Sequence, residues 1–459
     1  LRALSAAHAT MLKRCAQAAR IWSAVTRHRF CRFGDLSPKQ GRVQRSGRVG
    51  HLPAFDGDKS PAQSADKSAH SKVVAAPPRC EISRLVLLVA ALCMAGPAAS
   101  GRDESFANEV SRAIDRGLGW LQANQNSNGW WSTADQPAVT ALALTAFKGD
   151  PADRYAKNEP AWLKRGYGFL LGCVRPDGGI HQSNLVTYNT AISMTALGAT
   201  GKPEYDPILR NARRFLIGLQ RDFGEQGKLD DIYDGGIGYG SKYPHSDMGN
   251  TLVALEALYY SRRLTADKDP ALGRDLNWAA AIQFLQNCQN LPSHNKQPWA
   301  SDDPKHRGGF IYYPGHSMAG AETNAATGRV ALRSYGSISY AGMLSYLYAG
   351  LKQDDPRVTA VFDWLRANFT LEENPGMGPQ GYYFYLHTMA KALAARGVET
   401  LELKDGRKID WRRGLAMKLI NLQQRDGSWA NDNGRWWEKD PALVTSYSVL
   451  TLEMVWRKL

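Results

Sequence analysis

Gln125-Asn-Ser-Asn-Gly129-Trp-Trp131 stands between an amphipathic segment before it and a nearly all-apolar one after it. The same order of segment, glycine turn with an aromatic or branched residue close behind, and apolar segment returns at Gly178-Gly179, Gly235-Gly236, Gly308-Gly309, Gly381 and Gln423-Gln-Arg-Asp-Gly427-Ser-Trp429. Six passages, mostly about 50 to 70 residues apart, each have the length of a helical hairpin with its loops. One hairpin cannot bury its own apolar stripe, so the six must stack, and a stack of that length can close on itself. The pattern predicts an all-α protein, an (α/α)6 toroid of six helical hairpins.

First helices are expected near 107–125, 159–174, 206–223, 274–290, 355–370 and 409–425, and second helices near 137–148, 187–200, 247–263, 335–351, 383–396 and 441–457. The first helices carry most of the Lys and Arg and should form an outer ring. The second are apolar nearly all round and belong inside, with polar first turns converging on one mouth.

The formal charge of +14 is uneven: residues 1–100 hold 16 basic and 5 acidic groups, and the remainder is close to balanced. The basic pI therefore gives no reason to expect nucleic acid as a partner. Residues 1–78 are Arg, Ser, Ala and Pro-rich without apolar periodicity, and read as a disordered arm or a mis-annotated extension. Arg79 and Arg84 then precede an apolar run from Leu85 to Ala95 closed by Gly-Pro-Ala-Ala-Ser100, the form of a signal peptide over 79–100. An exported, periplasmic or extracytoplasmic toroid over 101–459 follows, the alternative being a membrane anchor through 85–99. Cys173 and Cys288 are the two cysteines beyond residue 100, each at the end of a first helix, where small buried fillers are expected. No CxxC, HExxH, GxSxG or phosphate-loop motif is present.

Gln125 to Trp131 and Gln423 to Trp429 fit Gln-x-x-x-Gly-x-Trp, and Asp177-Gly-Gly, Asp234-Gly-Gly-Ile-Gly-Tyr239 and Arg307-Gly-Gly-Phe-Ile-Tyr312 are looser versions. In this the chain resembles squalene and oxidosqualene cyclases, whose relatives include the β subunits of protein prenyltransferases. The resemblance implies that Gln125, Gly129, Trp131, Gln423, Gly427 and Trp429 brace the outer ring. It does not carry the chemistry. Where the squalene-hopene cyclases place an Asp-x-Asp-Asp-Thr-Ala acid, this chain has Leu185-Val-Thr-Tyr188-Asn189-Thr190-Ala191. Where the prenyltransferases hold zinc through Asp, Cys and His, it has Tyr335, Ser337 and His387, so neither a metal nor a cofactor is expected.

Three weaker patterns have plain structural alternatives. Asp230-Asp-Ile-Tyr-Asp234 fits a diphosphate-binding motif but runs into a glycine turn, Gly224-Glu-Gln226 lacks the Cys a thioester needs, and Asp247 in His245-x-Asp247 fits an N-cap. An insertion over 291–334 is expected to be a lid or binding loop. The acid–base groups are expected to be His387 and Asp247, with Tyr188, Asn189, Tyr239, Arg333, Tyr335, Tyr383 and Tyr385 contacting the ligand. The expected partner is a hydrophobic small molecule or lipid of isoprenoid type, with a possible peripheral membrane contact. A non-catalytic binding or scaffold protein and a polysaccharide-processing enzyme are the alternatives.

Overall fold

A computed structural model describes residues 103–459 apart from 157, 242, 244, 266–269, 271, 272, 324–327 and 329. The readings made for residues 1–100, the extension and the signal peptide, lie outside the described residues.

Twelve α-helices occur among them, in six pairs. The outer members are α1 (Glu104–Ala123), α3 (Ala161–Gly172), α5 (Asp206–Gly218), α7 (Trp278–Asn287), α9 (Pro356–Ala367) and α11 (Trp411–Leu422). The inner members are α2 (Pro137–Gly149), α4 (Val186–Ala199), α6 (Met248–Tyr260), α8 (Gly336–Tyr348), α10 (Tyr382–Ala395) and α12 (Pro441–Trp456). Each inner helix packs on the next, α2 on α4 and so on to α10 on α12, and α12 returns to α2. The ring is closed, an all-α toroid of six hairpins. Two short antiparallel hairpins, β1 (Ala321–Thr323) with β2 (Val330–Leu332) and β3 (Leu401–Glu402) with β4 (Lys408–Ile409), decorate it.

Start signals in the sequence explain the boundaries. Asp103, Asp247, Asn277, Asp355, Asp410 and Asp440 each accept a first-turn amide with their side chains, and proline opens α2, α9 and α12. Inner helices bury residues on all faces, whereas α1 buries one stripe, Phe106, Val110, Ile114, Leu118 and Leu121.

The turns are the mortar between outer helices. At Gly427 (φ 97°) a Cβ would lie 2.6 Å from the Arg116 carbonyl oxygen of α1, so the sixth turn sits directly on the first outer helix and closes the ring. Gly129 (φ 104°) approaches Arg165 of α3 in the same way. The amide two residues on then donates to a hydroxyl of the inner helix: Trp131 to Thr140, Ile180 to Thr190, Ile237 to Thr251, Phe310 to Ser339 and Trp429 to Thr445, each at 3.0 Å. Gln125 Nε2 donates to the Gly129 and Trp162 carbonyls, and Gln423 Nε2 to those of Gly427 and Ala113. Trp131 and Trp429 are fully buried and donate Nε1 to the Leu121 and Leu419 carbonyls near the ends of α1 and α11.

Two more turns have the glutamine, displaced by insertions. Gln220 Nε2 donates to the Gly235 and Asn277 carbonyls, and Gln289 Nε2 to those of Gly308 and Arg357. The fifth turn departs from the pattern, and Gly381 is not its turn glycine. Gly381 is instead the left-handed residue before α10, and Asn374 accepts the Ser337 amide and donates to the Ser337 hydroxyl at the head of α8, the inner helix of the preceding hairpin.

Candidate functional site

The mouth at the N-terminal ends of the inner helices is built around Asp247. Its position is dictated locally: Oδ1 accepts the Asn250 amide at 2.9 Å and Oδ2 the Asn250 Nδ2 at 2.8 Å, so it is the N-cap of α6. It is also fully buried, and the Tyr312 hydroxyl is near enough to lower its pKa. Burial pushes its carboxyl up from the usual carboxylate range, against the lowering by the Asn250 amide, the Asn250 side chain and Tyr312.

The Tyr312 hydroxyl in turn meets that of Tyr239 at 3.1 Å. Tyr312 comes from the 291–334 insertion, and its carbonyl accepts the Met248 amide, which pins the insertion to the head of α6. Tyr335, buried at the head of α8, feels the Asp247 charge; burial drives the hydroxyls of both Tyr312 and Tyr335 well above the ordinary phenol range, so both are neutral donors. The aromatic wall continues outward through Tyr313, whose ring centroid lies 4.4 Å from His245 and 4.7 Å from His316, and through Tyr243, 5.3 Å from Tyr239. His245 therefore packs against an aromatic ring rather than pairing with Asp247 around a metal. No group of three or more His, Cys, Asp or Glu among the described residues is placed to hold a metal ion.

Further in, side chains bridge the lumen. Tyr188 of α4 and Tyr447 of α12 share a hydroxyl hydrogen bond of 2.7 Å, and Lys391 of α10 pairs with Glu256 of α6. Both bridges join helices that are not neighbours in the ring. Between them His387 stacks on Tyr447, centroids 5.1 Å apart, with Nδ1 3.2 Å from the Thr451 hydroxyl.

His387, expected as an acid–base group, is buried there. Burial, reinforced by the Lys391 charge, holds its imidazole well below the ordinary histidine range. Four of the expected ligand-contact residues have protein partners of their own. Asn189 is buried and accepts the Ala138 amide while donating to Gln136, which caps α2. The Tyr385 hydroxyl donates to the Thr370 carbonyl and its ring packs on Tyr340, away from the bowl. Tyr383 is buried with its amide held by Glu438, and Arg333 is tied to Glu322 at 3.4 Å within the insertion. Tyr188 lies in the lumen, and Tyr239 and Tyr335 stand at Asp247. The Asp230 to Asp234 run is a turn: Asp234 accepts the Phe223 and Asp231 amides, and Asp231 accepts that of Tyr233. Cys173 and Cys288 are buried free thiols.

Tyr312 was the functional neighbour that residue reading left unassigned. Its signal was its place two residues after Phe310, in the aromatic tail of the fourth turn, which carries the chain from the outer helix to the mouth.

No family model and no curated protein matches the chain. Among solved structures it is similar to a type II terpene cyclase, MstE from Scytonema, at 13% identity and a TM-score of 0.44, over 77% of this chain and 98% of that one. An inactive variant of an alpha-1,6-mannanase from Salegentibacter, in complex with alpha-1,6-mannotriose, is similar at 13% identity and a TM-score of 0.46, over 76% and 99%. A glycoside hydrolase family 15 glucoamylase from Hypocrea jecorina follows at 12% identity and a TM-score of 0.39, over 78% and 72%.

Proposed function

We propose that the mouth takes up an isoprenoid-type lipid whose polar end hydrogen-bonds the Asp247, Tyr312 and Tyr239 group and whose unsaturated chain lies on the tyrosine faces around it. The observation that carries this reading is Asp247, a fully buried carboxyl among Tyr239, Tyr312 and Tyr335 at the mouth. Aromatic faces attract polarised C–H groups and any developing positive charge, and a dry carboxyl with a raised pKa can give or take one proton at a fixed point. Asp247 is nevertheless held by two donors of Asn250, which suits a hydrogen-bonding or modest acid–base group rather than the very strong acid that alkene protonation demands. Binding or carrying a lipid, or acting on its polar end, fits these residues better than squalene-type cyclisation. We also place this role outside the cytoplasm, from the basic, apolar and small-residue order of residues 79–100.

The test is a fluorescence titration of the full chain with geranylgeraniol. Saturable binding that Tyr335→Ala and the Asp247→Asn, Tyr312→Phe pair each weaken by about tenfold, roughly 1.4 kcal/mol, supports the reading. No saturable binding, or binding indifferent to those changes, would sink it.

A further inference from the structure

Four described residues other than glycine have left-handed backbone: Ser132, Asp153, Trp436 and Trp437. The last two are adjacent tryptophans, at φ 53° and 67°, and both are open to solvent, at 41% and 46% exposure. A bulky side chain at positive φ is strained, and an indole is ordinarily buried. Both costs therefore fall on one dipeptide, and strain of this kind gathers where a fold presents side chains for use.

The dipeptide is anchored from both sides. Glu438, the next residue, is buried and accepts the amides of Tyr383 at 3.2 Å and Phe384 at 2.8 Å at the head of α10, as well as Asn431 Nδ2 at 2.7 Å. Arg435 lies 4.8 Å over the Trp436 ring and donates to Gln380 Oε1 at 2.6 Å. The Trp436 ring rests on Gly381, where a Cβ would come within 2.9 Å of it. Arg435 also reaches Met318, two residues from His316, which joins the aromatic wall leading to Asp247. Trp436 is thus held at the rim of that mouth, with the exposed Trp437 next to it.

The neighbours select the ligand chemistry. Residues 431–440 read Asn-Asp-Asn-Gly-Arg-Trp-Trp-Glu-Lys-Asp, with no apolar side chain besides the indoles and three acidic groups against two basic. A bilayer anchor draws on a wider apolar face and net positive charge, and a protein interface core is depleted in charged groups. With Arg435 over the Trp436 ring, the exposed Trp437 indole beside planar donors and acceptors, Asn433, Arg435 and Gln380, matches a sugar ring instead: its C–H face meets the Trp437 indole and its hydroxyls meet the amides and guanidinium. We propose that Trp436 and Trp437 form a saccharide-binding platform at the rim, a site that stands whether or not the bowl below takes a lipid.

The test uses the full chain and four probes, the hexasaccharides of β-1,4-glucose, α-1,4-glucose, β-1,4-mannose and β-1,4-N-acetylglucosamine, in calorimetric and tryptophan-fluorescence titrations. At least one hexasaccharide is expected to bind, with affinity falling about tenfold in Trp437→Ala and abolished in the Trp436→Ala, Trp437→Ala pair, while Trp437→Phe stays within about threefold of the parent. Trp437→Gly, which relieves the positive φ, should lose the binding while melting no lower than the parent, and that separates the site from the fold. The proposal is overturned if none of the four binds, if binding ignores the paired substitution, or if that substitution instead abolishes sedimentation with phosphatidylcholine and phosphatidylglycerol vesicles.

Discussion

Trp429→Ala probes the element that closes the ring. The indole is fully buried, donates Nε1 to the Leu419 carbonyl at 2.8 Å, and lies so close to Gly117 of α1 that a Cβ there would stand 2.9 Å from it. Truncation removes nearly the whole side chain from a fully buried site against Gly117 of α1. The cavity and lost transfer energy amount to about 3 to 5 kcal/mol. The abandoned Leu419 carbonyl adds about 1 kcal/mol. In a domain of this size each kcal/mol moves the midpoint by about 2 °C, so the melt should fall by about 8 to 12 °C. Circular dichroism at the helical band, on the parent, Trp429→Ala and Trp131→Ala, reads this directly. Trp437→Ala is the surface control and should leave the midpoint nearly unchanged. If both buried variants melt within about two degrees of the parent, these indoles do not brace the ring and the reading of the turns is wrong.

Gln289→Ala should cost about 2 to 4 kcal/mol in urea unfolding, because the Gly308 and Arg357 carbonyls and the Tyr346 hydroxyl all lose their partner in a buried site. The His387 pKa is depressed in the folded state, so the stability it lends is present above pH 6.5 and lost as pH falls below it; His387→Gln should flatten the acid limb of the melting-point profile there. Glu453 is the opposite case: burial raises its carboxyl well above 4.5, so its contribution is lost as pH rises, and Glu453→Gln should raise the midpoint at pH 7 yet not at pH 4. Turnover assays with squalene, and with farnesyl diphosphate plus a cysteine peptide, with and without zinc, are expected to show no product; hopene formation would refute the inference from Tyr188 and Asn189.

The fold was legible because its determinants are local. Pro137, Asp247, Asn277, Asp355 and Asp440 start helices wherever they stand, and the predicted helix positions agree with those found to within a few residues at each end. Gln220 and Gln289 escaped because the pattern was read at fixed spacing, whereas loops of different length separate each from its glycine. Gly381 misled for the converse reason: a glycine before an inner helix has the right composition but packs on Trp436 rather than on an outer helix. In the site, Asp247 was visible as a cap, but its second environment depends on Tyr239 and Tyr312, which reach it from segments on either side of it in the chain. The surroundings of His387 were not legible, because an imidazole on an inner helix looks the same in sequence whether it faces water or, as here, a tyrosine ring.

The most direct measurement is mass spectrometry of lipid extracted from the purified full chain and from its Tyr335→Ala variant. A prenyl lipid held near one per chain by the parent and lost from the variant is the predicted result; no bound lipid, or equal amounts of an acyl lipid on both, would contradict the account.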